Sequence, residues 1–302
     1  MRVGVLRFGT VNWELDVMRH HGLAERAGLE VQITPLASTR ATAVALQGGA
    51  VDAIVSDWIW VSRQRADGRD YVFVPYSVAV GGLLVRADAG IESLQDLRGK
   101  RVGVAGGPVD KSWLLLRAYA RVELGQDLVA MVEPSFAAPP LLNKLAERGD
   151  LDAVLNYWHY GARLEAAGMR ELLGVREILP ALGVERPMPL LGWVFSEAWA
   201  ANNGDALRGF LRASYAAKKI LSESDEEWDR IAPLTKAEDA ATLASLREAY
   251  RAGVPQVFGA AEREAAARAF EVLAREGGRE LVGHSETLQP GTFWPGFELP
   301  QP

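Results

Sequence analysis

Short apolar runs alternate with longer amphipathic stretches through the first two thirds of the chain. The apolar runs are rich in β-branched residues, which is typical of strands, and the stretches between them have apolar residues at helical spacing. From the amino terminus the order is strand, helix, strand, helix, strand. This order predicts a βαβαβ unit with parallel strands.

The same pattern occurs a second time. GAVDAIVSDWIW begins at Gly49, and the similar GDLDAVLNYWHY begins at Gly149. RVGVLRFG begins at Arg2, and RVGVAGGP begins at Arg101. The identity is thin, so the repeat reflects either duplication or a shared supersecondary pattern. Both interpretations predict two α/β lobes.

Ligands of open parallel sheets bind outside the carboxyl ends of the strands. If the two lobes face each other, the loops at these ends line one cleft. The candidate ligand-binding residues of these loops are Thr10, Asn12, Trp13, Ser38, Thr39, Ser56, Asp57, Trp58, Gly107, Asp110, Asn156, Trp158 and His159.

The two tryptophans of SDWIW give the most specific prediction about the ligand site. In a helix that begins at Asp57, Trp58 and Trp60 point about 200° apart, so one can face the cleft and the other the core. We predict that Trp58 faces the cleft opposite Trp158 and that Trp60 is a core residue; alternatively, both are core residues. Paired aromatic walls suit a planar or apolar ligand.

Several candidates have an equally simple structural role. Asp57, Asp110 and Asn12 precede helix-like stretches, where a side-chain oxygen caps the helix. Ser38 or Thr39 can cap the next helix in the same way. As ligand contacts, Asp57 and Asp110 would suit donors, whereas free helix N-termini suit anions or acceptors.

The last third of the chain has a different pattern. From residue 197 onward, alanine-rich stretches with interleaved charges predict three or more helices without strands between them. The Pro- and Gly-rich tail is expected to be extended and to pack on a lobe through Phe293, Trp294 and Phe297.

Composition excludes several classes of protein. A net charge of −6 without a long basic run argues against nucleic acid as a partner. The chain has no cysteine, and its four histidines lack metal-ligand spacing, so we expect no metal site. No phosphate-binding glycine motif occurs, and we expect no cofactor. No apolar run approaches the roughly 20 residues of a membrane span.

The motifs at the centre of the chain resemble a known group. SLQDLRGKRVGVAGGP from Ser93 and LQGGAVDAIVSDWIWVSRQR from Leu46 resemble segments of substrate-binding proteins of ABC importers, of the aliphatic sulfonate, nitrate and thiamine-pyrimidine group. The polar-aromatic FGTVNW loop after the first strand resembles the same group. The resemblance covers about residues 1–200.

The resemblance implies a type II periplasmic binding protein fold. Each lobe would be a mostly parallel sheet flanked by helices, with extra C-terminal helices on lobe one. We predict lobe one at 1–83 plus 193–302, lobe two at 84–192, and a hinge near 79–86 and 189–196. Tyr76 and Trp193 become candidate ligand contacts beside that hinge.

The function implied is capture of a small, planar organic ligand for an ABC permease, without catalysis. We expect a monomer in the periplasm, its leader removed, or in the cytoplasm if Met1 is the native start. The alternative is a cytoplasmic lyase or dehydratase on the same fold, of the menaquinone-biosynthesis type, with Asp57, Asp110 or His159 as acid or base. A ligand-sensing domain of a regulator is a third interpretation.

Overall fold

The computed structural model describes residues 1–299 and contains two five-stranded sheets. The first sheet consists of β1 (Arg2–Leu6), β2 (Gln32–Leu36), β3 (Ala53–Asp57), β4 (Tyr71–Ser77) and β10 (Leu191–Ser196). The second consists of β5 (Gly82–Arg86), β6 (Arg101–Ala105), β7 (Glu133–Ala137), β8 (Ala153–Asn156) and β9 (Met169–Gly174). We call 1–77 with 191–299 the first lobe and 82–174 the second lobe. The predicted two-lobed α/β architecture is confirmed.

Both sheets have the same topology. Their strand orders are β2-β1-β3-β10-β4 and β7-β6-β8-β5-β9. The first three strands of each order are parallel, and β10 and β5 pair antiparallel with both of their neighbours. The two βαβαβ units found in the sequence therefore form equivalent halves of the two sheets.

The chain passes between the sheets at 78–81 and at 175–190. The predicted hinge ranges overlap these segments but also include β5 and β10, which are ladder strands. The predicted boundary between residues 83 and 84 lies two residues inside β5, and the predicted boundary between 192 and 193 lies two residues inside β10. That the lobes move as separate domains stays a prediction.

The repeat also reproduces one contact far from the cleft. The backbone N–H of Arg2 donates to Asp52 Oδ2 at 2.7 Å, and that of Arg101 donates to Asp152 Oδ2 at 2.8 Å. Each aspartate precedes the third strand of its unit and each arginine begins the first. These pairs hold the amino-terminal ends of parallel strands in register, so the shared aspartates are structural.

Helices cover both faces of each sheet. The helices among the strands are α1 (Val11–His20), α2 (Thr39–Gln47), α3 (Trp58–Ala66), α4 (Lys111–Leu124), α5 (Pro139–Glu147), α6 (Trp158–Ala166) and α7 (Val175–Ile178). The C-terminal helices are α8 (Glu197–Asn202), α9 (Gly204–Glu223), α10 (Asp225–Thr235), α11 (Ala240–Ala252) and α12 (Ala260–Val282). No helix within 1–299 is long and apolar enough to cross a membrane.

The C-terminal helices contact both lobes. Helix α9 packs on α1 of the first lobe, whereas α11 packs on α6 of the second lobe. Helix α12 lies against α3 and α4, one from each lobe. Helices α9 and α10 therefore pack within the first lobe, whereas α11 and α12 contact both lobes.

The tail packs on the first lobe as predicted. Phe73 donates its N–H to the carbonyl of Thr292 at 2.8 Å and accepts from the N–H of Trp294 at 2.9 Å. The ring of Trp294 lies 5.2 Å from Phe195, and that of Phe297 lies 5.8 Å from Tyr215. The last predicted tail residues, 300–302, lie outside the described residues.

Trp58 is a core residue, so its predicted place on the cleft wall is wrong. Its side chain is 0% exposed and packs on Phe270 of α12 and Phe293 of the tail, at centroid distances of 6.4 and 6.5 Å. The cap at Asp57 was predicted correctly, but the face of α3 that carries Trp58 is covered by α12. Trp60 is only partly buried, beside Tyr71 at 5.4 Å.

Tyr76 and Trp193 also belong to the core rather than to the cleft. Their rings lie 5.5 Å apart edge to face, and both side chains are buried. Trp193 Nε1 donates to Ser214 Oγ of α9 at 3.0 Å. Both residues lie near the hinge in sequence, but their side chains point to the helix layer on α9, because side chains alternate between the two faces of a strand.

An ion pair lies at the centre of the first lobe. Glu14 of α1 and Lys218 of α9 are 0% and 2% exposed, and Lys218 Nζ donates to Glu14 Oε2. Ser214 Oγ donates to Glu14 Oε1, and the Tyr250 hydroxyl of α11 donates to Oε2 at 3.2 Å. Lys218 Nζ also lies 3.5 Å from the centroid of the Tyr76 ring. The pair therefore joins α1, α9 and α11 around one carboxylate.

Removing one partner of this pair should be costly. We expect Glu14→Gln to lower the free energy of unfolding by about 3–5 kcal/mol, because it leaves an uncompensated buried ammonium group. Glu14→Leu with Lys218→Met should cost much less than the sum of the single changes. Urea unfolding measures both values, and Lys219→Met, which breaks an exposed pair with Glu223, is the control and should change little. An additive double variant would contradict this account.

Truncation of Trp58 should destabilise the fold more than truncation of Trp60, which is the reverse of what the sequence predicted. We expect Trp58→Ala to cost about 3–5 kcal/mol of folding stability, as for other buried large side chains. Trp60→Ala should cost only about 1 kcal/mol, because its ring is already partly in water. Urea midpoints of the two variants, measured side by side, test the assignment. Equal losses would show that α12 does not cover Trp58 as described.

Candidate ligand-binding cleft

The carboxyl ends of the parallel strands in the two lobes face each other. Asp57 ends β3 in the first lobe, and Lys111 begins α4 after β6 in the second. Lys111 Nζ lies 3.0 Å from Asp57 Oδ2, with 24% and 17% of the two side chains exposed. This ion pair joins the lobes across the cleft that the repeat predicts.

Both charges of this pair are held in place by their own lobe. Asp57 is the N-cap of α3, and its Oδ1 accepts from the N–H of Trp60 at 2.8 Å. Burial lowers the pKa of Lys111, but attraction to Asp57 and the hydrogen bond between them outweigh burial, and the pKa lies above its ordinary value. Lys111 thus stays an ammonium group. This ion pair is not visible in the sequence around Lys111, because its partner Asp57 lies on the other lobe.

Asp110 lies beside this pair and caps α4, as predicted. Its Oδ1 accepts from the N–H groups of Ser112 and Trp113, at 3.0 and 3.3 Å. Burial raises the pKa of Asp110. Burial and the neighbouring Asp110 raise the pKa of Tyr157 to about 12, so its hydroxyl stays protonated and can donate.

The turn before α4 requires a glycine at Gly106. It has φ +84°, and a Cβ there would lie 3.1 Å from the Tyr157 hydroxyl. Gly107, the predicted contact, has no left-handed φ, and a Cβ there would meet no atom of the described residues within 4 Å. Gly107 therefore leaves open space in the cleft, and no close backbone approach within 1–299 depends on it.

The loop after β1 is held by Asn12. Asn12 Nδ2 donates to the carbonyls of Leu6 and Gly9, at 2.8 and 2.7 Å. Thr10, not Asn12, is the N-cap of α1, and its side chain makes no capping bond. The Asn12 amide is therefore occupied with its own loop, which it fixes at the edge of the cleft.

A cavity of about 550 Å³ lies beside the hinge, and a larger one of about 710 Å³ opens between the lobes. The walls of the larger cavity are the β1–α1 loop, α5, α6 and the segment that joins α10 to α11. Predicted residues Thr10, Asn12, Trp13 and His159 line it. Its charged lining residues are Arg7, Lys144, Arg163, Lys236, Glu147, Glu238 and Asp239.

His159 is uncharged in this cavity. Burial, and secondarily the charge of Arg163, lower the pKa of His159 to about 3. Its ring therefore offers a neutral hydrogen-bonding group at physiological pH and is a poor proton acceptor.

Trp158 lines the smaller cavity, and its ring packs on Trp13 of the other lobe rather than standing opposite Trp58; its contact with a ligand stays a prediction. Its ring lies 6.0 Å from Trp13 and 6.3 Å from Tyr250, and Trp13 in turn lies 5.8 Å from Trp228. We call Trp13, Trp228 and Tyr250 the aromatic socket. Trp158 and Trp13 thus form a contact between the lobes, and Trp13 is 5% exposed.

The remaining predicted residues lie apart from these groups. Asn156 is 1% exposed and structural: its amide donates to Pro139 O at 3.1 Å and to Asn143 Oδ1 at 2.8 Å, which ties β8 to α5. The prediction of Asn156 as a ligand contact is therefore wrong. Ser38 caps α2 by accepting from the N–H of Ala41 at 3.2 Å, and Thr39 follows it on the exposed surface. Ser56 is half-buried and pairs with Gly192 in the sheet.

Solved structures with the same fold are numerous. The periplasmic aliphatic sulphonate binding protein SsuA from Escherichia coli is 21% identical over 97% of both chains, with a TM-score of 0.75. The alkanesulfonate-binding protein SsuA from Xanthomonas axonopodis pv. citri, bound to MOPS, is 18% identical over 97% of both, with a TM-score of 0.70. An ABC transporter protein from Parabacteroides distasonis is 14% identical over 97% of this chain and 98% of that one, with a TM-score of 0.67.

These likenesses establish the two-lobed fold of periplasmic binding proteins for this chain. No curated protein matches it in sequence. A family model described as NMT1/THI5 like matches residues 17–227, which is 211 of 302 residues. The chain therefore belongs to the NMT1/THI5-like family.

Proposed function

We propose that this protein is the substrate-binding protein of an ABC importer and holds a small organic ligand between its lobes. The observation that carries the proposal is the cavity of about 710 Å³ at the carboxyl ends of the strands, lined from both lobes. A site of this size encloses a small organic molecule. The importer proteins with the same fold support the same role.

We propose an organic anion, with sulfonates as first candidates. The Arg7 guanidinium lines the cavity and makes no hydrogen bond or ion pair with any residue of 1–299. Among the acidic lining residues, Asp239 is occupied as the N-cap of α11. Unpaired arginine suits a sulfonate, since a guanidinium forms paired hydrogen bonds with oxyanions. The sulfonate-binding proteins of the same fold support this class.

The positions of the aromatic residues do not support the prediction of a planar ligand. That expectation needed Trp58 and Trp158 on opposite walls, but Trp58 lies in the core and Trp158 packs on Trp13. The proposed ligand class therefore rests on charge and cavity size rather than on stacking.

The partner in this proposal is a membrane permease that docks on the outer surfaces of the closed lobes. We propose that the protein is a monomer. We also propose that it works in the periplasm, because the structural neighbour from Escherichia coli is described as periplasmic. The ligand would stabilise the closed form, and the permease would bind that form in preference to the open one.

The groups available for acid–base chemistry do not favour the lyase alternative. Both oxygens of Asp57 are engaged, one with α3 and one with Lys111. Asp110 caps α4, and the pKa of His159 is about 3. A lyase needs a free acid or base near neutral pKa.

Calorimetry with a panel of ligands tests the proposal. MOPS, ethanesulfonate, nitrate and a pyrimidine are titrated into the purified protein, and we expect the sulfonates to bind. Arg7→Met should weaken sulfonate binding about tenfold or more, because a hydrogen bond to a charged group contributes about 1.5–3 kcal/mol. Arg69→Met is the matched control: Arg69 is also an exposed arginine of the first lobe, but it does not line the cavity.

Two outcomes would count against the proposal. Binding of the pyrimidine alone, unaffected by Arg7→Met, would keep ligand capture but reject the anion class. Conversion of any panel compound to a new species, detected by mass spectrometry, would favour the enzyme alternative.

A further inference from the structure

The two ring nitrogens of His159, in α6, lie in different surroundings. His159 Nδ1 is shut off from solvent and has no hydrogen-bond partner within 1–299. Nε2 makes no hydrogen bond within 1–299 either, but it is not shut off in this way. The side chain lines the cavity of about 710 Å³ between the lobes. The ring therefore presents Nε2, and not Nδ1, to a molecule in that cavity.

Aromatic neighbours restrict the orientation of this ring. The centroid of the His159 ring lies 4.4 Å from that of Tyr160 and 5.3 Å from that of Trp158. Asn143 Nδ2 of α5 donates to the carbonyl of Tyr160 at 2.9 Å, which fixes the first turn of α6. Close packing against two rings limits the rotation of the imidazole. The difference between its two nitrogens is therefore built into the second lobe.

These surroundings decide which nitrogen carries the proton. Because the pKa of His159 is lowered to about 3, its ring is neutral at physiological pH and has one N–H and one acceptor nitrogen. The hydrogen-bonding partners of the two nitrogens select between the two tautomers. A buried N–H without an acceptor is rare in proteins, whereas a buried acceptor without a donor is found more often. The proton therefore belongs on Nε2, and the enclosed Nδ1 keeps the lone pair.

An N–H on Nε2 is a hydrogen-bond donor without an acceptor within 1–299. Arg7 of the first lobe is comparable, because its guanidinium lines the same cavity and is unpaired within 1–299. A guanidinium has donors and no acceptor. Each lobe therefore offers a free donor group to the cavity, and both groups suit an acceptor oxygen.

We propose that His159 carries its proton on Nε2 and donates it in a hydrogen bond to an acceptor oxygen of the bound ligand. His159 is then a specificity-determining residue of the cavity. It favours oxyanions, and it disfavours ligands that place an amine or hydroxyl donor here, because the lone pair on Nδ1 is out of reach. The contact with the ligand rests on the proposed function, but the position of the proton does not.

Nitrogen NMR of the isotope-labelled, ligand-free protein tests the position of the proton. Long-range nitrogen–proton correlation spectra distinguish a protonated ring nitrogen from an unprotonated one. The chain has four histidines, and the signals lost in His159→Gln are those of His159. At neutral pH we expect a protonated Nε2 and an unprotonated Nδ1. A protonated Nδ1, or the averaged shifts of a mixture of tautomers, overturns the proposal.

Calorimetry with ethanesulfonate and MOPS tests the contact. His159→Phe keeps an aromatic ring but has no donor, and it should weaken binding about tenfold or more, as expected for a lost hydrogen bond to a charged group. The amide of glutamine reaches the position of Nε2, and that of asparagine the position of Nδ1. His159→Gln should therefore keep most of the affinity, whereas His159→Asn should lose as much as His159→Phe. His284→Gln is the matched control, because His284 is exposed and does not line the cavity.

Unchanged affinity in His159→Phe, or equal affinity of the asparagine and glutamine variants, overturns the contact. If neither sulfonate binds the parent protein, the proposed ligand class fails and the contact with it fails too, while the NMR spectra still decide the position of the proton. Circular dichroism confirms the folding of each variant. If His159→Phe does not fold, the comparison of His159→Gln with His159→Asn takes its place.

Discussion

The buried pair of Glu14 and Lys218 fixes the surface on which the second lobe rests. Its carboxylate is shared by Lys218, Ser214 and Tyr250, so α1, α9 and α11 are held in one arrangement. Two members of the aromatic socket, Trp13 and Tyr250, lie on these helices. A buried charge is stable only with its partners in place. The pair therefore fixes the relative positions of the helices that carry Trp13 and Tyr250 of the socket. The position of Trp158, and with it α6, follows from that geometry.

Contacts between the lobes lie on two sides of the cleft. Asp57 and Lys111 meet on one side. On the other side Trp158 packs on Trp13, and Arg163 donates to the carbonyl of Thr235 at 2.6 Å. A ligand shifts the lobes toward the closed form only as far as it binds that form better than the open one. The cavity of about 710 Å³ between these contacts is large enough for a small organic molecule.

The sequence was sufficient for features that depend on neighbours along the chain. The two sheets followed from the repeat, and the caps at Ser38, Asp57 and Asp110 followed from an oxygen-bearing residue before each helix. Features that depend on elements distant in the chain could not be predicted from the sequence. Trp58 is buried because α12 returns to cover α3, and Glu14 is paired with a residue 204 positions away. Nothing near Lys111 in the sequence indicates an ion pair, because its partner Asp57 lies on the opposite lobe.

The central proposal is that the two lobes close around a small organic ligand held in the cavity between them. Small-angle X-ray scattering of the protein with and without a saturating ligand tests this most directly. The account predicts a smaller radius of gyration with ligand, because the lobes move about the two short connections between the sheets. A radius of gyration and a pair-distance profile that ligand leaves unchanged would contradict it.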